Sequence, residues 1–195
     1  MLDSEVKKYK CLNQIASSNG IVVFGGTSDV NIPLGELKQA FSLKDHIYNR
    51  SFSDLSVSEA SKAFDECVEG LCPETVFVHI GEADISLFEE DDSAFEKNYQ
   101  FLLKEIKNKN KDCRIVIVSL KNYDGDASIA KLNKRLKYIA DSGKFEFEDI
   151  SSKRIWDIKE NSQVTSFLYD IGFDRPLNIR RPVYNLVRIL FCYDN

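Results

Sequence analysis

Four short apolar runs punctuate the chain: Gly20–Gly25 (GIVVFG), Asp45–Asn49 (DHIYN), Glu74–Gly81 (ETVFVHIG) and Cys113–Leu120 (CRIVIVSL). Their length and β-branched content predict buried strands. A fifth run, Lys144–Ile150 (KFEFEDI), alternates Phe145 and Phe147 with Glu146 and Glu148, the pattern of a strand with one face partly wet, and so is placed at a sheet edge. Between the runs, apolar residues recur at helical spacing over Leu34–Ser42, Ser56–Gly70, Asp91–Asn108 and Ala127–Ser142. Ser56 and Glu59 have the spacing of a capping box, in which the serine accepts from the N3 amide and the glutamate reaches back. Strands alternating with helices in this way predict a parallel sheet with right-handed crossovers and helices on both faces.

Two further helices are expected outside the repeat, Ser4–Ser17 in an N-terminal extension (1–18) and Pro182–Cys192 as a terminal helix (182–192). The stretch 151–181 has no clear period and is expected to be an ordered irregular segment. At 195 residues, with 43% hydrophobic and 11% aromatic positions, the chain suits one domain with an ample core, 1–195.

Charge and cysteine usage narrow the partners. A formal charge of -5 gives no broad positive field, so nucleic acid is not expected. No stretch approaches the roughly 20 apolar residues of a membrane span, and the charged start, with Asp3, Glu5, Lys7, Lys8 and Lys10, is unlike a signal peptide. A cytoplasmic location is therefore expected. The cysteines (Cys11, Cys67, Cys72, Cys113 and Cys192) are odd in number and scattered, which favours reduced thiols. The four-residue gap within Cys67…Cys72 has no partner pair at ligand spacing, so neither a metal nor a cofactor is expected.

Ligands of open parallel sheets bind beyond the carboxyl ends of the strands. Those ends carry Phe24-Gly25-Gly26-Thr27-Ser28-Asp29, then Asn49-Arg50-Ser51-Phe52, then Gly81-Glu82-Ala83-Asp84-Ile85. In order and strand context this sequence resembles the SGNH (GDSL-type) hydrolases, in which a first strand runs into Gly-Asp-Ser, a glycine follows the second, and Gly-x-Asn-Asp ends the third. The run L-N-K-R-L-K-Y-I-A before F-E-F-E-D-I is similar to the family's Asn-bearing helix and fifth strand. The resemblance spans roughly 20–150. It implies a three-layer α/β/α, flavodoxin-like fold with a five-stranded parallel sheet of order 2-1-3-4-5.

The departures from that pattern bear on chemistry. Aligned without gaps, the family's nucleophile falls on Thr27 and its preceding Asp on Gly26; a shift of one residue offers Ser28 instead. The second-strand glycine becomes Ser51, whose backbone amide can still donate, and the oxyanion-hole asparagine becomes Ala83, which has no side-chain donor. Gly81 and Asp84 keep their places. The family's Asp-x-x-His should lie in Y-D-I-G-F-D-R-P-L-N-I-R-R-P, which has no histidine: Asp174 and Asn178 can stand there, or Asp170 and Asp174.

The chain has two histidines, His46 and His79, both in predicted strands, and His79 sits near a carboxyl end where it could act as a relocated base or serve as a structural strand residue. Asp29, Glu82, Asp84 and Asp170 or Asp174 gather carboxylates that could hold a hard cation, although solvated or buttressing roles account for them more simply. Gly25-Gly26-Thr27-Ser28 lacks the lysine of a phosphate loop. Arg175, Arg180 and Arg181 suit a solvated basic turn.

The resulting expectation is an SGNH-like protein with eroded catalytic residues that binds an acyl- or sugar-bearing small molecule or hydrolyses esters weakly. The alternatives are an active carboxylic-ester hydrolase using Thr27 or Ser28, and a non-catalytic scaffold.

Overall fold

The computed structural model describes residues 2–41, 43–122, 124–152 and 183–192. Five strands, β1 (Ile21–Gly25), β2 (Ile47–Asn49), β3 (Thr75–His79), β4 (Arg114–Val118) and β5 (Glu146–Glu148), form one sheet of order β2-β1-β3-β4-β5. Every pairing is parallel. The central strands β1 and β3 are buried along their whole length, whereas β2 and β5 are three-residue edges. Short edges limit the exposed ladder that would otherwise recruit another chain. On β5, Glu146 turns outward and its carboxylate receives the guanidinium of Arg114 at 2.5 Å.

The two-residue side-chain period of the strands divides the core between two faces. Val22, Phe24, Val76, Val78, Ile80, Ile115 and Ile117 pack with helices α3 (Val57–Cys67), α5 (Asp92–Lys109) and α6 (Ala127–Gly143). Ile21, Val23, Phe77, Val116 and Val118 face the other way, against Leu37 of α2 (Leu34–Ala40) and the terminal helix α7 (Val183–Phe191). An N-terminal helix α1 (Leu2–Asn13) lies against α3. His79, two residues beyond Phe77, has the parity of the α7 face, and its ring meets Phe191 edge-on at 4.9 Å.

Three local outcomes differ from the sequence pattern. Helix α1 ends at Asn13 rather than Ser17, and Gln14, Ile15 and Ala16 form a tapering turn whose amides bond three residues back. A short helix α4 (Ile85–Glu90) follows β3, hidden in the sequence because only Phe88 of its six residues is buried. The capping box does not form: Ser56 Oγ donates to the Glu59 carboxylate at 2.8 Å, and no side chain of Ser56 caps α3. Instead, the first amide of α3, Val57 N–H, donates to both oxygens of Asp84 at 3.1 and 3.0 Å. A buried carboxylate is a stronger acceptor for a helix N-terminus than a hydroxyl, which frees Ser56 to pair with Glu59.

Candidate functional site

The carboxyl ends of β1, β2 and β3 lie side by side, so the three signature loops meet above the sheet. Gly25 ends β1 beneath the Asp29 carboxylate, and a Cβ there would come within 1.9 Å of Asp29 Oδ2, so only glycine fits. The chain then makes a single turn, Thr27–Asp29, that presents Thr27 to solvent, leaves Ser28 half-buried and turns Asp29 inward.

The Thr27 hydroxyl is held by the loop after β2. It accepts from Asp54 N–H at 2.9 Å and lies 3.4 Å from Asp54 Oδ1. Asp54 occupies the left-handed region at φ 54°, a strained conformation for a non-glycine residue. Ser28 N–H donates to Glu82 Oε2 at 3.3 Å. Thr27, Ser28, Asp54 and Glu82 thus form the solvent-facing part of the site.

Five consecutive amides after β2 are engaged within the chain. Arg50 N–H donates to Val23 O at 2.8 Å and Phe52 N–H to Gly25 O at 3.1 Å. Ser51 N–H donates to Asn49 Oδ1 at 3.0 Å, Ser53 N–H to the Glu5 carboxylate at 3.1 and 3.3 Å, and Asp54 N–H to Thr27 Oγ1. Ser51 is fully buried. The donor that the sequence left available at Ser51 is therefore already taken, a use of Asn49 that only the folded loop reveals.

Ala83 is exposed on the turn after β3 and brings no donor, and Gly81 sits at φ 134° where a side chain would be strained. Asp84 is buried beneath that turn, and its carboxyl is pushed up to about 6, chiefly by desolvation and partly offset by the Val57 amide. Asp174 and Asn178, with Asp170, Arg175, Arg180 and Arg181, lie outside the described residues.

His79 Nδ1 lies 2.7 Å from Asp29 Oδ2, and both side chains are 1% exposed. His79 Nε2 and Asp29 Oδ1 have no hydrogen-bond partner among the described residues. The pairing was not legible in the sequence, which set Asp29 among solvated or metal-seeking carboxylates. His46 lies outside β2, exposed and stacked on Tyr48. Asp29, Glu82 and Asp84 do not converge: the first pairs with His79, the second reaches Ser28 and the third receives α3. No group of three or more potential ligands that could hold a metal ion occurs among the described residues. Nor is any described helix long and apolar enough to cross a membrane.

No family model and no curated protein matches this sequence. Among solved structures, one from Streptococcus pneumonia, provisionally described as a platelet activating factor, superposes with TM-score 0.66 at 18% identity, covering 76% of this chain and 74% of its own. A GDSL-like lipase from Bacteroides thetaiotaomicron gives TM-score 0.58 at 19% identity over 74% and 77% of the two chains. An acetyl xylan esterase gives 0.60 at 12% identity over 73% and 84%. The parallel sheet of order 2-1-3-4-5, the flanking helices and these likenesses together establish that the chain has the SGNH (GDSL-type) hydrolase fold.

Proposed function

We propose that this chain is an SGNH-fold protein that binds an acyl- or sugar-bearing small molecule and hydrolyses esters poorly or not at all. The observation that carries this reading is the closure of the loop after β2, whose amides from Arg50 to Asp54 all serve acceptors within the chain. An oxyanion hole needs donors aimed at a charge that develops on the substrate, and a donor already used internally cannot be one. Ala83 removes a second donor. The groups left facing solvent, the Thr27 hydroxyl with Asp54 and Glu82, suit hydroxyl-rich ligands, because carboxylates accept from sugar hydroxyls. The acetyl xylan esterase among the structural neighbours is consistent with such a ligand class.

A second reading, an active carboxylic-ester hydrolase using Thr27 or Ser28, is favoured by the Asp29–His79 pair. A carboxylate on Nδ1 with Nε2 left over is the arrangement that orients a general base. Neither Thr27 nor Ser28 hydrogen-bonds to His79, however, and Phe191 covers the ring.

The test is hydrolysis of p-nitrophenyl acetate and of an acetylated xylo-oligosaccharide by wild type, Thr27→Ala, Ser28→Ala and the double variant. Equal, near-background rates in all four are expected. Robust turnover abolished by either alanine would overturn the binding reading, and its further loss in His79→Ala would establish the second one.

A further inference from the structure

Helices that follow parallel strands run back along the sheet, so α5 and α6 end at the opposite edge of the molecule from the three loops. There the carboxyl-terminal halves of α5 and α6, with Phe145 just ahead of β5, border a cavity of about 390 Å³. Small-molecule pockets run from about 300 to 1,000 Å³. Its floor is apolar, made by the buried Leu103 and Ile139, and the half-buried Phe145 forms a wall.

That wall is built into the end of α6. Phe145 N–H and Lys144 N–H bond back to Ala140 O and Asp141 O at 2.9 and 3.4 Å, with Lys144 at φ 58°. A helix end ordinarily takes its glycine at this left-handed position. Here the glycine stands one residue earlier, at 143, where a Cβ would come within 2.4 Å of Phe145 Cε2. Gly143 therefore gives the ring its room, and Lys144 carries the backbone cost.

The polar part of the lining is cationic. Lys107 Nζ is held by two neutral acceptors, Lys111 O at 3.1 Å and Cys113 O at 2.6 Å. An ammonium has three donors, so one is left over. Lys104, nearly one turn earlier on α5, lines the same cavity, and no carboxylate does. Neither ammonium is ion-paired among the described residues. In a chain of net charge -5, two lysines without acidic partners beside an apolar floor complement an amphipathic anion.

We propose that this cavity binds a medium-chain aliphatic carboxylate, with its chain against Leu103, Ile139 and Phe145 and its carboxylate on Lys104 and the spare donor of Lys107. A volume near the low end of the range favours a medium chain over a long one. The site is separate from the loops at the carboxyl ends and does not rest on how those are read.

The experiment titrates sodium octanoate, below its micellar range, into isotopically labelled full-length protein, with 1-octanol and sodium acetate in parallel at matched ionic strength. Amide shifts are followed by NMR. Saturable octanoate shifts centred on Lys104, Gly143 and Phe145 are expected, with octanol and acetate each binding at least about tenfold more weakly, the scale of a hydrogen bond to a charged group. Lys104→Gln/Lys107→Gln should raise the octanoate Kd by at least about tenfold while the spectrum stays dispersed. If that variant does not fold, the exposed Lys104→Gln alone makes the comparison, with a rise of at least about threefold expected. No saturable shift at these amides overturns the proposal, as does octanol binding as tightly as octanoate or an unchanged Kd in the lysine variant. Octanoate shifts confined to the loops after β1, β2 and β3 also overturn it, and would place the ligand at the site described above instead. Failure here leaves the binding reading of those loops untouched, and robust ester turnover would sink that reading without changing this result.

Discussion

Asp29 Oδ2 and His79 Nδ1 meet at 2.7 Å in the buried seam between the first turn after β1 and the last residue of β3, under Phe191. Asp29 leaves Gly25 no room for a side chain, so the pair fixes the turn that carries Thr27 and Ser28. Replacing either partner by alanine strands the other in the core, at a cost of about 1–3 kcal/mol. A double-mutant cycle by urea unfolding should show Asp29→Ala and His79→Ala to be strongly non-additive. Additive losses would mean that the contact contributes nothing of its own.

Asp84 makes stability depend on pH in an unusual direction for an aspartate. Its folded value of about 6 lies above the ordinary 3.8, so the unfolded chain releases this proton first. The contribution is therefore complete below about pH 4 and is lost as pH rises through about 6. Asp84→Asn, which keeps an acceptor for Val57 N–H, should flatten the stability profile between those limits. Thermal melts of the two proteins from pH 4 to 7 check this, and parallel profiles would refute it.

Restoring the missing side-chain donor alone should not restore catalysis. Ala83 is exposed, so Ala83→Asn can be made without disturbing the core. An oxyanion donor is worth about 10²–10³-fold in a competent enzyme, but here the neighbouring amides are engaged and His79 is enclosed. The expected change in p-nitrophenyl acetate hydrolysis is less than about tenfold, well short of that range. A gain of the full size would show that the rest of the machinery is intact.

Asn133, buried on α6, clasps the end of β4 by accepting from Leu120 N–H and donating to Leu120 O, both at 2.8 Å. Asn133→Leu would bury an unpaired amide and carbonyl together, a loss of roughly 2–4 kcal/mol when the two penalties are only partly relieved by water. Chemical denaturation measures it directly. A loss under about 1 kcal/mol would mean that the clasp is replaceable.

No two of the five cysteines are joined in a disulfide; Cys11 and Cys72 are exposed and Cys67, Cys113 and Cys192 buried. Burial also pushes the Cys67 and Cys113 thiols up to about 11, which lowers their thiolate fraction. Iodoacetamide should therefore label Cys11 and Cys72 promptly and the other three only on unfolding, as read by intact and peptide mass spectrometry. Early labelling of Cys67 would point instead to an opening of α1 away from α3, beneath which its sulfur approaches Val6 O at 3.9 Å.

The pattern of apolar runs by itself determined the strands and the edge position of Lys144–Ile150, because burial on two faces imposes a period and a composition that a single sequence displays; the order of the sheet was what the resemblance to the SGNH hydrolases implied. The runs also located the three loops that meet at the site. What those loops do was decided by tertiary contact. Glu5 consumes the Ser53 amide from 48 residues away, and Asp84 takes the Val57 amide at the start of α3 from 27 residues away, in place of a Ser56 cap. His79 and Asp29 are 50 residues apart and are joined only because β1 and β3 are neighbours. Periodicity reports which face a residue occupies. Whether a donor is free depends on which acceptor the folded chain brings to it, and that is a property of pairs distant in sequence.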